Sequence, residues 1–169
     1  MDLIIQPAKR EDLNEIVNLL SDNNLPTIDI KENTVQLFVG LLNNKIIGII
    51  GLEKYNGVGL LRSLAIKDTF KNQKFGERLV KQLLDFCSRE KIEELYLLTT
   101  TAEKYFEKFG FQKTERFKIP ETIKQTREFK DICPISAVVM CKEINRDQNN
   151  EDKISPAHNT QYSQWRGKW

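Results

Sequence analysis

The sequence has little histidine and little cysteine, and both shortages exclude kinds of chemistry. His158 is the one histidine in 169 residues, which excludes histidine-rich metal sites and disfavours Ser-His and Cys-His nucleophilic pairs. The three cysteines, Cys87, Cys133 and Cys141, are too few and too widely spaced for a disulfide framework, and their odd number fits a reducing compartment. We therefore expect a cytoplasmic protein that uses no metal.

Long apolar runs and an excess of one charge are also missing. The longest apolar stretch, Ile46 to Leu52, is as long as a strand and far short of the roughly 20 residues that cross a bilayer. The opening MDLIIQPAKR has an acidic second residue and does not match a signal peptide. The 26 Lys and Arg residues are interspersed with 24 Asp and Glu residues, which argues against nucleic acid binding. We expect neither a membrane nor a nucleic acid partner.

Composition predicts one folded domain followed by a tail. Hydrophobic residues make up 40% and charged residues 30% of the chain, which is ordinary globular usage. We expect a single domain over 1–144 and a polar, flexible tail over 145–169. The tail contains Tyr162, Trp165 and Trp169, so docking of these rings on this chain or on a second copy stays open, and with it a homodimer.

Hydrophobic periodicity predicts a mixed α+β order of elements. An i, i+3, i+4, i+7 stripe from Leu13 to Leu20 indicates an amphipathic helix, and a clearer helix begins at Phe75. Because strand, helix and strand follow one another over 58–100, the two strands should be parallel and joined by a right-handed crossover. Strands are predicted at 3–6, 35–42, 45–55, 58–67, 94–100, 111–116 and 136–144, and two further helices at 102–109 and 120–129.

The loop between the fourth strand and the second helix is a candidate anion site. Unpaired N–H groups and the positive end of the helix dipole meet there. Lys71 and Lys74 add positive charge, and Gly76 permits a ligand to approach the backbone closely. A solvated loop is the alternative.

At this point the sequence resembles the GNAT superfamily of acyl-CoA N-acyltransferases. Residues 64–66 match the strand pattern L-x-V, residues 71–76 match the loop pattern [RQ]-x-x-G-x-[GA], and residues 102–111 match A-x-x-[FL]-Y-x-x-x-G-F. The resemblance covers about residues 2–144. It implies a GNAT-type α+β fold, with a mixed central sheet of about six to seven strands flanked by about four helices.

The resemblance also implies that acetyl-CoA is bound by backbone amides of the loop. The residues it assigns to the cofactor are Leu64, Ala65, Ile66, Lys71, Asn72, Gln73, Lys74, Phe75, Gly76 and Glu77. Lys74 stands where the family pattern has its first glycine. Because backbone N–H donors are present with any residue but proline, diphosphate binding is still expected.

Direct acetyl transfer to the amine of a small molecule is the activity that the resemblance implies. A backbone N–H of the strand 64–66 would polarise the thioester carbonyl in a gap between splayed parallel strands. Glu53 is the candidate general base, with a solvated edge carboxylate as the alternative. Arg62 and Ser63 alternate across the strand, so one of them faces the acceptor cleft. An inward Arg62 would suit an acceptor carboxylate, and Ser63 is retained as a catalytic candidate.

Phe106 stands where many family members have the tyrosine that protonates the leaving thiolate. Phenylalanine cannot donate a proton. We expect Tyr105 to face the core because it is one residue away on the helix and its i+4 partner Phe109 is apolar. Tyr96 or a water molecule is the expected substitute.

Three threonines end the fifth strand. Thr99 and Thr100 are candidates for binding acceptor or pantetheine, and Thr101 is expected to cap the following helix. Together with LLRSLAI, IPETIKQT and CPISA, this run resembles the arsenic-resistance acetyltransferase subgroup. That resemblance implies detoxification of amino acid-like arsenical or phosphinic compounds.

Two other functions stay open at this stage. One is a coenzyme A-binding domain that regulates or scaffolds without catalysis, which the residues Lys74 and Phe106 motivate. The other is a thiol-based arsenic or redox sensor using the three cysteines. Cys87 on an apolar helix stripe and Cys141 within a strand argue against the sensor, because buried structural cysteines are common there.

Overall fold

A computed structural model of the chain describes residues 2–144. The predictions for the tail lie outside the described residues. Those residues form seven strands: β1 Ile4–Pro7, β2 Gln36–Leu42, β3 Lys45–Tyr55, β4 Val58–Ile66, β5 Glu94–Thr99, β6 Gln112–Thr114 and β7 Val138–Glu143. Four α-helices lie within the same residues: α1 Leu13–Asp22, α2 Phe75–Arg89, α3 Glu103–Glu107 and α4 Glu121–Lys124.

The strands form one mixed sheet in the order β1-β2-β3-β4-β5-β7-β6. β4 and β5 are parallel, and the other neighbouring pairs are antiparallel. The predicted α+β class and the parallel pair around α2 are thereby confirmed. Asn43 and Asn44, with φ of 50° and 60°, form the tight turn between β2 and β3, because asparagine tolerates the left-handed region well.

Helices cover both faces of the sheet. α2 and α3 pack on one face, where Leu79, Leu83 and Phe106 join Leu61 and Leu97 in the largest buried cluster. On the other face, α1 covers β2, β3 and the end of β4, and α4 covers β4, β5 and β7. Alternate residues of β4 and β5 therefore enter different cores, as the two-residue period of a strand requires.

Two local predictions need correction. The helix predicted over 120–129 is divided into α4 and a separate π-helical turn, Glu128–Ile132. Thr101 does not cap α3: the Thr99 Oγ1 atom accepts hydrogen bonds from the N–H groups of Ala102 at 2.9 Å and Thr101 at 3.4 Å. The Thr99 hydroxyl, four residues before Glu103, thus binds the backbone that leads into the helix. No helix within residues 2–144 has the length and apolar character needed to cross a membrane.

Candidate functional site

β4 and β5 separate partway along their length. They pair from Val58 with Glu94 to Leu60 with Tyr96, and no pairing continues beyond these residues. β4 runs on to Ile66 and β5 to Thr99. The backbone groups of β4 that face β5 after Leu60 therefore have no strand partner. This opening, called here the β4–β5 gap, offers a place where backbone donors are available to a ligand.

A bulge in β4 lies beside this gap. The β3–β4 register moves from Ile49 opposite Ala65 to Gly51 opposite Arg62, so two residues of β4 oppose one of β3. Ser63 takes up the extra residue with φ of 58°. The prediction that Arg62 and Ser63 alternate across the strand is wrong for this reason. Their side chains meet instead, with the Arg62 Nε atom 3.3 Å from the Ser63 Oγ atom.

The N-terminus of α2 presents unpaired backbone donors near the same end of β4. The first bond of the helix runs from the Arg78 N–H group to the Lys74 carbonyl oxygen, so the N–H groups of Phe75, Gly76 and Glu77 precede any intrahelical acceptor. Lys74 is left-handed, with φ of 63° and ψ of 11°. A lysine thus adopts the backbone shape that glycine adopts easily, at a cost of about 1 kcal/mol. The backbone of the loop therefore follows the course that a glycine at position 74 would give it.

Side chains of the loop contact their own neighbours. Lys71 Nζ lies 2.6 Å from Asp68 Oδ1, and Gln73 Nε2 donates to the Thr69 carbonyl oxygen at 3.0 Å. Phe75 packs edge-on against Phe70, Glu77 pairs with Lys81 at 2.5 Å, and Asn72 is left-handed with φ of 61°.

The strand residues before the loop face different helices. Leu64 and Ile66 pack toward α2, and Ala65 packs toward α1. The ten residues predicted to bind cofactor therefore form one continuous edge from β4 to α2.

Tyr105 reaches this edge, which the sequence did not indicate. A Cβ atom built on Gly76 would lie 2.9 Å from the Tyr105 hydroxyl oxygen, so that hydroxyl lies over the first turn of α2. Burial and then the Glu77 carboxylate raise the pKa of Tyr105. Its ring packs against the core as predicted, edge-on to Phe106 and Phe109. Phe106 itself is 6% exposed.

Beneath the sheet at the bulge lies a buried ion cluster of Arg62, Asp29, Glu53 and Glu128. The guanidinium of Arg62 donates to Asp29 through Nη1 at 2.5 Å and Nη2 at 2.7 Å. Its Nε atom lies 2.8 Å from Glu128 Oε2, and Nη1 lies 3.8 Å from Glu53 Oε1. Asp29 comes from the segment between α1 and β2, and Glu128 from the π-helical turn. The sequence named Arg62 and Glu53 as candidates but gave no signal for the other two, because their proximity depends on irregular segments.

Burial sets the protonation of this cluster. It raises the pKa of Glu128 to about 7 against the opposing effect of Arg62, and it raises the pKa of Glu53, again with Arg62 opposing. Burial and the neighbouring Glu53 carboxylate raise the pKa of Tyr55 to about 12. Glu53 is 2% exposed, so the alternative of a solvated edge carboxylate is wrong. Two of the three carboxyls can therefore hold a proton at higher pH than a carboxyl in water.

The other candidates lie around the gap or away from it. Thr99 and Thr100 lie beyond Tyr96, the last residue of β5 that pairs with β4, and the Thr99 hydroxyl accepts a hydrogen bond from the Ala102 N–H group before α3. Tyr96 is buried on the α4 face among Leu60, Ile119 and Val139, and its hydroxyl donates to Glu94 Oε2 at 3.0 Å. Tyr96 thus stays a prediction as a proton donor, on the face opposite Tyr105.

The cysteines are poorly suited to thiolate chemistry. Burial raises the pKa of the Cys87 thiol to about 12, and burial together with Glu128 raises the pKa of Cys133 to about 12. Burial also raises the pKa of Cys141. Reactive cysteines need the opposite shift. Within residues 2–144, no group of three or more His, Cys, Asp or Glu side chains is arranged to hold a metal ion.

Comparison with solved structures supports the same architecture. The chain is similar to an acetyltransferase of the GNAT family from Staphylococcus aureus Mu50, with a TM-score of 0.70, 17% identity, and coverage of 85% of this chain and 100% of the other. It is also similar to N-acetylglutamate synthase from Neisseria gonorrhoeae, solved with coenzyme A and N-acetyl-glutamate, with a TM-score of 0.74, 19% identity, and coverage of 86% and 36%.

A third similar structure is the ribosomal-protein-S18-alanine N-acetyltransferase from Escherichia coli, with a TM-score of 0.68, 16% identity, and coverage of 88% and 98%. No curated protein matches the sequence significantly. The sequence profile of the acetyltransferase (GNAT) family matches residues 5–111, which is more than half of the chain. With the β4–β5 gap, the bulge and the α2 edge in place, the chain belongs to the GNAT family of acetyltransferases and is an N-acyltransferase.

Proposed function

We propose that the protein transfers the acetyl group of acetyl-CoA directly to the amine of a small molecule, with binding along the edge from β4 to α2. The observation that carries this proposal is the coincidence of three features at one end of the sheet. The β4–β5 gap exposes backbone donors, the first turn of α2 has unpaired N–H groups, and the Ser63 bulge brings the Arg62 and Ser63 side chains together beside the gap. The similar N-acetylglutamate synthase from Neisseria gonorrhoeae was solved in complex with coenzyme A.

The residues of the edge fit a diphosphate. Phe75, Gly76 and Glu77 offer N–H groups at the positive end of the α2 dipole. Gly76 has no side chain, which leaves room for the Tyr105 hydroxyl over the first turn of α2, and the left-handed Lys74 adds the positive charge of its ammonium group. When bound, acetyl-CoA supplies an activated acyl group on a sulfur that leaves readily as a thiolate.

The ion cluster supports proton removal from the acceptor. An attacking amine must be neutral and must lose a proton during transfer. Glu53 and Glu128 are carboxyls with raised pKa values beside the bulge, and a base whose pKa is near 7 is well matched to that task. Glu128 is the outermost member, with its side chain 8% exposed against 1–3% for the others. We assign Glu128, with Glu53 behind it, as the group that accepts the amine proton through water.

Tyr105 replaces the missing tyrosine on the other side of the site. Its hydroxyl lies over Gly76 at the start of α2, where a donor can reach a ligand that follows the edge from β4. Phe106 fills the core in the usual position of that donor. We assign Tyr105 to hydrogen bonding with the bound cofactor and to proton delivery toward its sulfur.

The contacts of Arg62 bear on the class of acceptor. The arsenic-resistance resemblance suggests an amino acid-like compound whose carboxylate binds Arg62. Asp29 already occupies both Nη atoms of that guanidinium, so such an acceptor would have to replace Asp29 or bind without Arg62. A small amine, therefore, is the acceptor that we propose at this level.

A thiol-release assay with acetyl-CoA tests the transfer. The panel contains amino acids, phosphinothricin-like compounds and polyamines, and release of free thiol should depend on both enzyme and amine. Acetyl-CoA should also raise the melting temperature, since a ligand that binds only the folded state stabilises it. A rise in melting temperature with no thiol release from any amine would favour the regulatory alternative and contradict the proposed enzyme activity.

A further inference from the structure

The ion cluster beneath the bulge contains more acidic than basic groups. Asp29, Glu53 and Glu128 surround the one guanidinium of Arg62, and the four side chains are 1–8% exposed. With all three carboxyls ionised, the cluster carries two negative charges in excess. A buried excess of this kind is unfavourable unless protons or a cation compensate it.

Two other guanidinium groups of this region are engaged elsewhere. Arg127 pairs with Glu32 at the surface, where both side chains are more than 40% exposed. Arg116 donates to the Ala137 carbonyl oxygen at 2.9 Å and stacks on the ring of Phe129. Neither guanidinium forms an ion pair with the cluster. The missing positive charge is therefore not supplied by these neighbours.

One atom of the cluster has an unused hydrogen-bonding capacity. Glu53 Oε2 is buried and has no hydrogen-bond partner among the described residues, although Glu53 is 2% exposed. Buried carboxylate oxygens are nearly always paired. An unpaired one, in a cluster with two further carboxyls, indicates a place for a donor that arrives with a ligand.

The cluster is also connected to the place of transfer. Arg62 Nε contacts both Glu128 and the hydroxyl of half-buried Ser63, and Ser63 forms the bulge beside the β4–β5 gap. Asp29 and Glu128 come from the two irregular segments that cover this end of the sheet. Their carboxyls therefore lie against the strand that lines the gap.

We propose that this cluster makes the enzyme selective for acceptors that carry a second positive charge besides the reacting amine, with Asp29 as the specificity-determining residue. Asp29 holds both Nη atoms of Arg62, so the guanidinium offers no paired donors to an acceptor carboxylate. Glu53, with its unpaired Oε2 atom, is left to accept a hydrogen bond from the second ammonium group, and the negative charge of Glu128 lies beside it. The acceptor class is therefore a diamine or polyamine. This inference rests on the proposed function and specifies its substrate.

A matched pair of acceptors tests the charge preference. 1,6-Diaminohexane and 6-aminohexanoate present the same kind of primary amine on chains of similar length and differ in the charge of the far end. Thiol release from acetyl-CoA gives kcat/KM for each. Since unfavourable charge placement at a desolvated site is costly, the wild type should favour the diamine by at least about tenfold.

Two variants and one control assign the preference to the cluster. Asp29→Asn frees Arg62 and should move the ratio of the two kcat/KM values toward 6-aminohexanoate by about tenfold. Glu128→Gln removes a carboxylate without freeing Arg62 and should lower kcat/KM for the diamine more than for the amino acid. Asp131→Asn makes the same charge change at an exposed position of the same π-helical turn and should leave the ratio unchanged. If Asp29→Asn does not fold, Glu128→Gln and its control decide the question.

Calorimetry with coenzyme A-saturated protein supplies a second readout that needs no turnover. Binding of 1,6-diaminohexane should release protons near pH 7, while binding of 6-aminohexanoate should be weaker. A wild-type preference for 6-aminohexanoate, or a ratio that Asp29→Asn changes no more than Asp131→Asn does, would overturn the inference, and so would an absence of diamine binding. Failure of the proposed function gives a different result, namely no thiol release from any amine whatever its charge.

Discussion

The Arg62 guanidinium and the Asp29 carboxylate form two parallel hydrogen bonds, of 2.5 and 2.7 Å, across 33 residues of sequence. Both side chains are 1% exposed. Burial alone would lower the pKa of Arg62, but the bonds to Asp29 and the charges of Glu128, Asp29 and Glu53 raise it. The pair joins the segment after α1 to β4. The position of that segment therefore depends on a contact with the strand that lines the β4–β5 gap.

Loss of Asp29 should therefore destabilise the fold measurably. Asp29→Ala leaves Arg62 buried without its two-bond partner, and breaking a buried pair typically costs about 3–5 kcal/mol. Because Glu53 and Glu128 still face the guanidinium, we expect a decrease in the free energy of unfolding of about 2–3 kcal/mol. Urea denaturation measures it. The control Glu32→Ala breaks an exposed pair with Arg127 and should cost under about 1 kcal/mol; equal losses in the two variants would refute the prediction.

Stability should fall as the pH rises from about 4.5 to about 7 because of Glu128. Burial raises the pKa of this carboxyl from 4.5 to about 7, with Glu53 and Asp29 adding to the rise and Arg62 opposing it. A folded-state pKa above the unfolded value stabilises the fold at low pH, and that contribution disappears as the pH passes the folded-state pKa.

The matching measurement compares wild type with Glu128→Gln. The difference in their free energies of unfolding should change by up to about 3 kcal/mol between pH 5 and pH 8, with the wild type losing stability relative to the variant. Nearby Cys133 titrates only at about pH 12 and does not contribute in this window. A difference that is constant with pH would show that Glu128 has an ordinary pKa.

The sequence predicted those parts of the molecule that depend on local pattern. β3 lies where its β-rich composition and the Asn43–Asn44 turn placed it, and α2 begins where helical periodicity placed it. Glu53 and Arg62 were recognised because regular strands carry them.

The remaining parts of the site depend on irregular backbone. The Ser63 bulge breaks the alternation that was used to orient Arg62. Asp29 and Glu128 lie on segments without a clear period, and their carboxyls meet only after the chain folds. Tyr105 was expected to face only the core, since its neighbours at helical spacing are apolar. Its hydroxyl at Gly76 is a tertiary contact that helical spacing does not contain.

Replacing the left-handed lysine of the loop should stabilise the protein. Lys74→Gly relieves a residue at φ of 63° and should raise the free energy of unfolding by about 0.5 kcal/mol, because the greater freedom of glycine in the unfolded chain offsets part of the relieved strain. Affinity for coenzyme A should change by at most about fivefold, because the backbone donors stay and only an exposed charge is lost. Differential scanning calorimetry and isothermal titration give the two values.

The control for that prediction is Lys71→Gly. Lys71 has an extended backbone, with φ of −62° and ψ of 155°, so glycine relieves no strain there and increases the freedom of the unfolded chain. It should lower stability by about 0.5–1 kcal/mol. Stabilisation by both substitutions, or by neither, would mean that the conformation of Lys74 is not the cause.

Two tyrosine variants distinguish the candidate proton donors on opposite faces of the sheet. Tyr105→Phe removes the hydroxyl over Gly76 and keeps the ring that packs on the core, so the fold should be retained while kcat/KM for acetyl-CoA falls about tenfold or more.

Tyr96→Phe removes a hydroxyl that donates to Glu94 on the α4 face. It should lower the free energy of unfolding by about 1 kcal/mol. The value of kcat should stay within about twofold, because the Tyr96 hydroxyl then has no part in the catalytic step. Steady-state kinetics with one acceptor, at fixed pH and with both melting temperatures recorded, compares them. If Tyr96→Phe is the slower enzyme, proton delivery comes from the α4 face, and the contact of Tyr105 with Gly76 serves packing alone.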